Sequence, residues 1–82
     1  MLRGRVTDVL GQPIGGARVY VLARTGGREE TKTTKDGRYA ITLERGGAYG
    51  VVIAVDDVHT YRTVLVEPGA STTLDVEVET DI

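Results

Sequence analysis

The 82-residue chain has no Cys, Trp, Phe or Asn, and only one His and one Met. Without cysteine there is no disulfide framework, no thiolate metal site and no thiol nucleophile, and the redox compartment is left open. Without asparagine there is no acceptor for N-linked glycan, which leaves only the eleven threonines for Thr-linked sugar. No stretch approaches the roughly 18 apolar residues of a membrane span, and the opening Met1-Leu2-Arg3-Gly4-Arg5 lacks the apolar run of a signal peptide. Membrane insertion is therefore not expected. A net charge of −2 and only four aromatic residues, all Tyr, argue against a nucleic-acid partner. At 8.8 kDa the chain is expected to be a single domain over residues 1–82. A domain of that size buries only about 60% of its unfolded surface, which leaves little room for a deep active-site cleft beside a core. No catalytic residue, cofactor or metal is expected. The scarcity of amides and sulfur, with eight Arg against two Lys, is a thermophile trait, and an Arg excess equally fits a GC-rich genome.

What the chain does have is strand-forming residues. Twelve Val, four Ile and eleven Thr are β-branched, and such residues fit a pleated, half-buried surface and lose rotamer freedom in helices. Eleven Gly, mostly in pairs or beside Asp or Pro, punctuate turns. No helix-length stretch carries a 3.6-residue apolar period with a cap at its start. The reading is all-β, with seven short strands separated by turn signals, the pattern of a sandwich or small barrel.

The strands are expected at Leu2 to Thr7, Ala17 to Arg24, Glu29 to Thr34, Arg38 to Glu44, Ala48 to Val55, about Thr60 to Val66, and Thr72 to Glu79. The third is polar on both faces and reads as an edge strand whose charges discourage stray pairing. Lys35-Asp36-Gly37 reads as a hairpin, because Asp-Gly tolerates positive φ. The fifth is apolar on both faces, as expected of a central strand covered on its outer side. Asp56-Asp57-Val58-His59 reads as a polar connection. The expected core is Val6, Val19, Val21, Tyr39, Ile41, Leu43, Tyr49, Val51, Ile53, Val55, Leu65, Leu74, Val76 and Val78.

The order of the turn and strand signals resembles a known family. Gly4-Arg5-Val6-Thr7-Asp8, Gly11-Gln12-Pro13-Ile14 and Gly16-Ala17-Arg18-Val19 are followed by Thr34-Lys35-Asp36-Gly37-Arg38-Tyr39 and by Gly46-Gly47-Ala48-Tyr49-Gly50-Val51-Val52-Ile53. These blocks are similar to the pattern of the carboxypeptidase regulatory-like domain family, over residues 4 to about 55 and more loosely to Glu79. The resemblance implies a seven-stranded, antiparallel-type Greek-key sandwich, prealbumin-like and Ig-like. It also implies a non-catalytic accessory module of extracellular or cell-envelope proteins, located outside the cell or at its surface. Where relatives commonly carry Gly-Tyr after the fifth strand, this chain has Asp56-Asp57-Val58-His59-Thr60-Tyr61.

Enzymes and covalent-bond formers of related architecture fit poorly. Ring-cleaving dioxygenases need two His and two Tyr for iron, and only His59 is present. Hydroxyisourate hydrolases need several His and a Tyr-Arg-Gly-Ser ending, whereas this chain ends Glu79-Thr80-Asp81-Ile82. Isopeptide-bonded pilins need an early-strand Lys and a late Asn or Asp, yet Lys32 and Lys35 both sit by the expected hairpin. His59 beside Asp56 and Asp57 reads as a solvated loop rather than a metal or acid-base cluster.

Charge is unevenly divided: residues 1–45 carry nine basic and five acidic side chains, and residues 46–82 carry one and seven. One reading is compensation between neighbouring strands within the sandwich. The other is complementarity between copies, with an acidic last strand of Asp75, Glu77, Glu79 and Asp81 facing a basic patch of Arg3, Arg5, Arg18 or Arg24. Those eight residues are the candidate interaction surface. The expected partners are proteins: other domains of a parent chain, or copies of the same chain. A free-standing subunit that polymerises into a surface filament is the alternative, since Met1 begins the first strand almost at once and Ile82 follows the last. A sugar- or peptide-binding role has less support, because only Tyr20 and Tyr61 are candidates for outward-facing aromatics.

Overall fold

The computed structural model describes residues 1–79. It contains β1 (Leu2–Thr7), β2 (Arg18–Ala23), β3 (Arg28–Lys32), β4 (Arg38–Ile41), β5 (Gly47–Val55), β6 (Val58–Val66), β7 (Thr72–Thr73) and β8 (Val76–Glu77). One sheet has the order β3-β2-β5-β6, and the other runs β4-β1-β7 with β8 also on β1. The architecture is the expected β-sandwich, with eight strands in place of seven. No helix of the described chain is long and apolar enough to cross a membrane.

The alternation seen in the sequence builds the core directly. Val19 and Val21 on β2, Val51 and Ile53 on β5, Leu2 and Val6 on β1, and Val76 and Val78 at the last strand are almost wholly buried between the sheets. Burying one such side chain contributes about 1.5 to 3 kcal/mol. Tyr39, Ile41, Tyr49, Ala17 and Val66 complete the buried cluster, with Leu43, Val55, Val64 and Leu74 packed partly against it.

Four differences from the sequence reading have physical causes. The Asp36-Gly37 turn is present, with the Gly37 amide donating to the Thr34 carbonyl at 2.8 Å and the Thr34 amide donating to the Arg38 carbonyl at 2.9 Å. It is a corner rather than a hairpin, because β3 and β4 lie in different sheets. Local turn chemistry is the same in both cases, and only the apolar faces on either side decide which sheet the chain enters.

Second, the connection after β5 is two residues long. Val55 is opposite Val58, Asp56 takes a left-handed φ of 52°, and Val58 and His59 already belong to β6. Asp is among the few non-glycine residues that adopt this conformation readily. Third, this start fixes the parity of β6. Val64 and Val66 point inward, and Leu65, expected in the core, is 70% exposed. A one-residue shift of register turns every side chain to the other face.

Fourth, the last strand adds to β1 in parallel, with Leu2 opposite Thr72 and Val6 opposite Val76, so that sheet is mixed rather than all antiparallel. It is also interrupted at Leu74-Asp75. Leu74 N donates to the Arg3 carbonyl at 2.8 Å and Val78 N to the Thr7 carbonyl at 2.8 Å. Between them the Leu74 carbonyl accepts the Tyr39 hydroxyl at 2.5 Å, and the Arg5 amide donates to Asp75 Oδ1 at 3.0 Å. Side chains thus occupy both backbone groups that would otherwise meet, and the ladder breaks without slipping.

Candidate interaction surfaces

The polar groups that fold into the interior bind backbone. Thr33 is 5% exposed, and its Oγ1 accepts from the Ala17 amide at 2.9 Å and donates to the Ile14 carbonyl at 2.7 Å, tying the entry of β2 to the end of β3. The Tyr49 hydroxyl donates to the Arg45 carbonyl at 2.6 Å, closing the turn before its own strand. Tyr39, 4% exposed, reaches across Gly4 to Leu74. A Cβ on Gly4 would lie 1.8 Å from the Leu74 carbonyl oxygen and 2.8 Å from the Tyr39 hydroxyl, so the contact requires glycine there. Burial, and secondarily the charge of Asp75, pushes the Tyr39 pKa up to about 12. No buried side-chain nitrogen or oxygen lacks a partner among the described residues.

The described candidate interaction residues separate into four places. Arg3, Arg5 and Asp75 come together with Lys32, Thr34 and Arg38 along an open groove of about 700 Å³ on the outer side of the smaller sheet. Arg5 is directly opposite Arg38 across the β1–β4 pair. Like charges in that position repel, and the Arg5 Nε donates to the Asp36 carbonyl at 3.3 Å while Asp75 lies against its amide. Asp75 thus shares the groove with basic residues of its own chain and binds the Arg5 backbone. Arg18 lies on the outer face of the other sheet, where the Tyr20 hydroxyl and then the charge of Glu30 hold its guanidinium more firmly protonated. Arg24 follows the end of β2, away from the first group. Glu77 and Glu79 line a different groove, of about 450 Å³, with Val58, His59, Tyr61 and Arg62 from β6. Asp81 lies outside the described residues. Among the described candidates, Asp75 lies beside Arg3 and Arg5, while Glu77 and Glu79 lie in the other groove.

Sequence reasoning missed a surface that β6 creates. Tyr20, Val52 and Tyr61 stand in one cross-strand row, and Leu22, Gly50 and Thr63 in the next. All six share the outer face of the larger sheet. Tyr61, 60% exposed, lies over Gly50, where an added Cβ would meet its hydroxyl at 2.7 Å. Arg28 sits over the Tyr20 ring, 5.7 Å from its centroid. Leu65 stands on the same face in the row beyond, opposite Ala48. The signal was in the sequence: taking Asp56-Asp57 as a two-residue turn starts β6 at Val58 and puts His59, Tyr61, Thr63 and Leu65 outside.

His59 does not gather with Asp56 and Asp57 into a site. Among the described residues no group of three or more His, Asp or Glu is placed to hold a metal ion.

Comparison with known proteins agrees with this architecture. Fifteen chains of solved structures match. Among them is the Bacillus anthracis TIE protein, with a TM-score of 0.80 at 16% identity; the match covers 95% of this chain and 16% of that one. No curated protein matches the chain in sequence. The model of the carboxypeptidase regulatory-like domain matches residues 1–79, and the chain belongs to that family of prealbumin-like β-sandwiches.

Proposed function

We propose that this domain is a non-catalytic structural and interaction module of an extracellular or cell-envelope protein. The observation that carries the reading is the use of its buried hydroxyls. Thr33, Tyr39 and Tyr49 each hold a backbone carbonyl, and together they fasten turns and strands rather than face a cleft. Family membership supports a non-catalytic role, and the similar fold in the TIE protein occupies a small part of a much longer chain. Partners on this reading are neighbouring domains of a parent chain or other copies.

Fractionation of the source cells, probed with an antibody to this domain, tests the location. Recovery in the envelope or the medium supports the reading, and recovery in the cytosol contradicts it. A filament subunit needs two sticky surfaces per copy, since a single isologous contact closes at two copies. The strand edges of this sandwich favour a closed arrangement.

A further inference from the structure

Among the described residues the two sheets have four edges, and three are protected. The β3 edge carries Arg28, Glu29, Glu30 and Lys32 within five residues. The β4 edge is four residues long, and the β7–β8 edge is broken into two-residue pieces. Charge, shortness and interruption are the usual means of preventing strand addition. The remaining edge, β6, has nine residues, Val58-His59-Thr60-Tyr61-Arg62-Thr63-Val64-Leu65-Val66, with one Arg, no acidic residue and no Pro.

The hydrogen-bonding direction of β6 follows from its neighbours. The Ala23 amide donates to the Gly27 carbonyl, and the Thr33 amide donates to the Ala17 carbonyl, so the odd residues of β2 bond toward β3. Alternation then directs even residues of β2 toward β5, odd residues of β5 toward β6, and even residues of β6 back toward β5. The backbone groups of His59, Tyr61, Thr63 and Leu65 are left at the open edge. One of them shows it directly: the Tyr61 carbonyl accepts Arg62 Nη1 at 2.9 Å, a side chain standing in for a missing strand.

We propose that the β6 edge pairs antiparallel with the β6 edge of a second copy, about a two-fold axis through Thr63. In this register Thr63 faces Thr63 of the second copy, Tyr61 faces Leu65, and Arg62 faces Val64. The two exposed apolar side chains of β6, Tyr61 and Leu65, cover each other twice, and like charges never meet. Shifting the axis to Arg62 sets the two guanidiniums opposite one another, and shifting it to Tyr61 leaves Leu65 without an apolar partner. The Leu65 amide of the second copy takes the Tyr61 carbonyl from Arg62, whose freed guanidinium has Glu77 and Glu79 in the same groove. Because the contact is isologous it closes at two copies. The inference goes beyond the module reading, which a monomer would equally satisfy.

Cross-linking with a single introduced thiol tests it, since the chain has no cysteine. Residues in a hydrogen-bonded antiparallel pair have Cα atoms about 5.5 Å apart, within disulfide reach. Thr63→Cys is expected to oxidise to a covalent dimer at least tenfold faster than Arg28→Cys on the protected edge. Sedimentation of the unmodified chain is expected to rise from 8.8 kDa toward twice that mass between micromolar and millimolar concentration. Thr63→Pro, which removes an amide from the open edge and none from the β5 ladder, is expected to stay monomeric with the parent's circular dichroism. Equal cross-linking at Thr63 and Arg28, faster cross-linking of Arg62→Cys, or a monomer throughout would each overturn the pairing, and none of them touches the module reading.

Discussion

The Tyr39 hydroxyl donates a 2.5 Å hydrogen bond to the Leu74 carbonyl, crossing the open space above Gly4 to do so. This one bond joins β4 to the last strand across the central strand of the sheet. It also displaces the Arg5 amide onto Asp75, so one contact explains why an eight-residue acidic segment forms two short strands.

Gly4→Ala is expected to be the most damaging small substitution on β1. The new methyl would meet a backbone carbonyl at 1.8 Å, which no side-chain rotation relieves. A loss of about 3 kcal/mol is expected, lowering the melting temperature by about 12 to 24 °C in thermal denaturation. Melting within a few degrees of the parent would show that Tyr39 does not bridge over Gly4.

Tyr39→Phe is expected to cost about 1 to 2 kcal/mol at neutral pH, because the half-buried Leu74 carbonyl loses its donor. The pH dependence carries the sharper signature. Tyr39 has its pKa raised from 10.0 to about 12 in the folded protein, so the folded state holds its proton more tightly than the unfolded state. That contribution to stability is fully present below pH 10 and is lost as pH rises through 12, about 3 kcal/mol in all. The gap between parent and Tyr39→Phe in denaturant titrations should therefore close as pH rises above 10 and reverse in favour of Tyr39→Phe by pH 12 and above. A constant gap contradicts the assignment.

Thr33→Val removes a hydroxyl and leaves the Ala17 amide and Ile14 carbonyl without that partner, for an expected loss of about 1 to 3 kcal/mol. Thr33→Ser keeps both bonds and should recover most of it. Urea midpoints measure the difference, with the slope unchanged.

Leu65 and Val66 test the register of β6. Leu65→Thr is expected to change stability by less than about 0.5 kcal/mol, as at ordinary surface positions, whereas Val66→Ala should cost about 2 kcal/mol. Ile53→Asp places an unpaired charge in the wholly buried centre of β5 and should unfold the domain. If Leu65→Thr were the costlier of the two β6 substitutions, β6 would face the other way.

Much of this fold was legible because its strands alternate cleanly. Val19 and Val21, Tyr39 and Ile41, and Val51 and Ile53 lie where period-2 counting puts them, bounded by glycine-rich turns. Leu65 was misplaced because β6 is apolar on both faces near its end, so alternation alone cannot choose between Val64 and Leu65. Only the two-residue Asp56-Asp57 turn decides. The interruption at Leu74-Asp75 was invisible because it depends on a tyrosine 35 residues away in sequence. On the surface, the charge counts identified Arg3, Arg5 and Asp75, which do meet, but pairing with Glu77 and Glu79 depends on which sheet edge each occupies. The apolar row through Tyr61 depends on strand register, which composition does not carry.

The measurement that bears most directly on the open β6 edge is amide hydrogen exchange on that strand at two concentrations. In dilute solution Thr60, Arg62 and Val64, bonded to β5, should exchange slowly, while Tyr61, Thr63 and Leu65 exchange quickly. At high concentration those three should become protected and the other amides stay as they were. Protection of Tyr61, Thr63 and Leu65 at every concentration would mean that the edge is already paired within the chain, and rapid exchange at every concentration would mean that no second strand joins it.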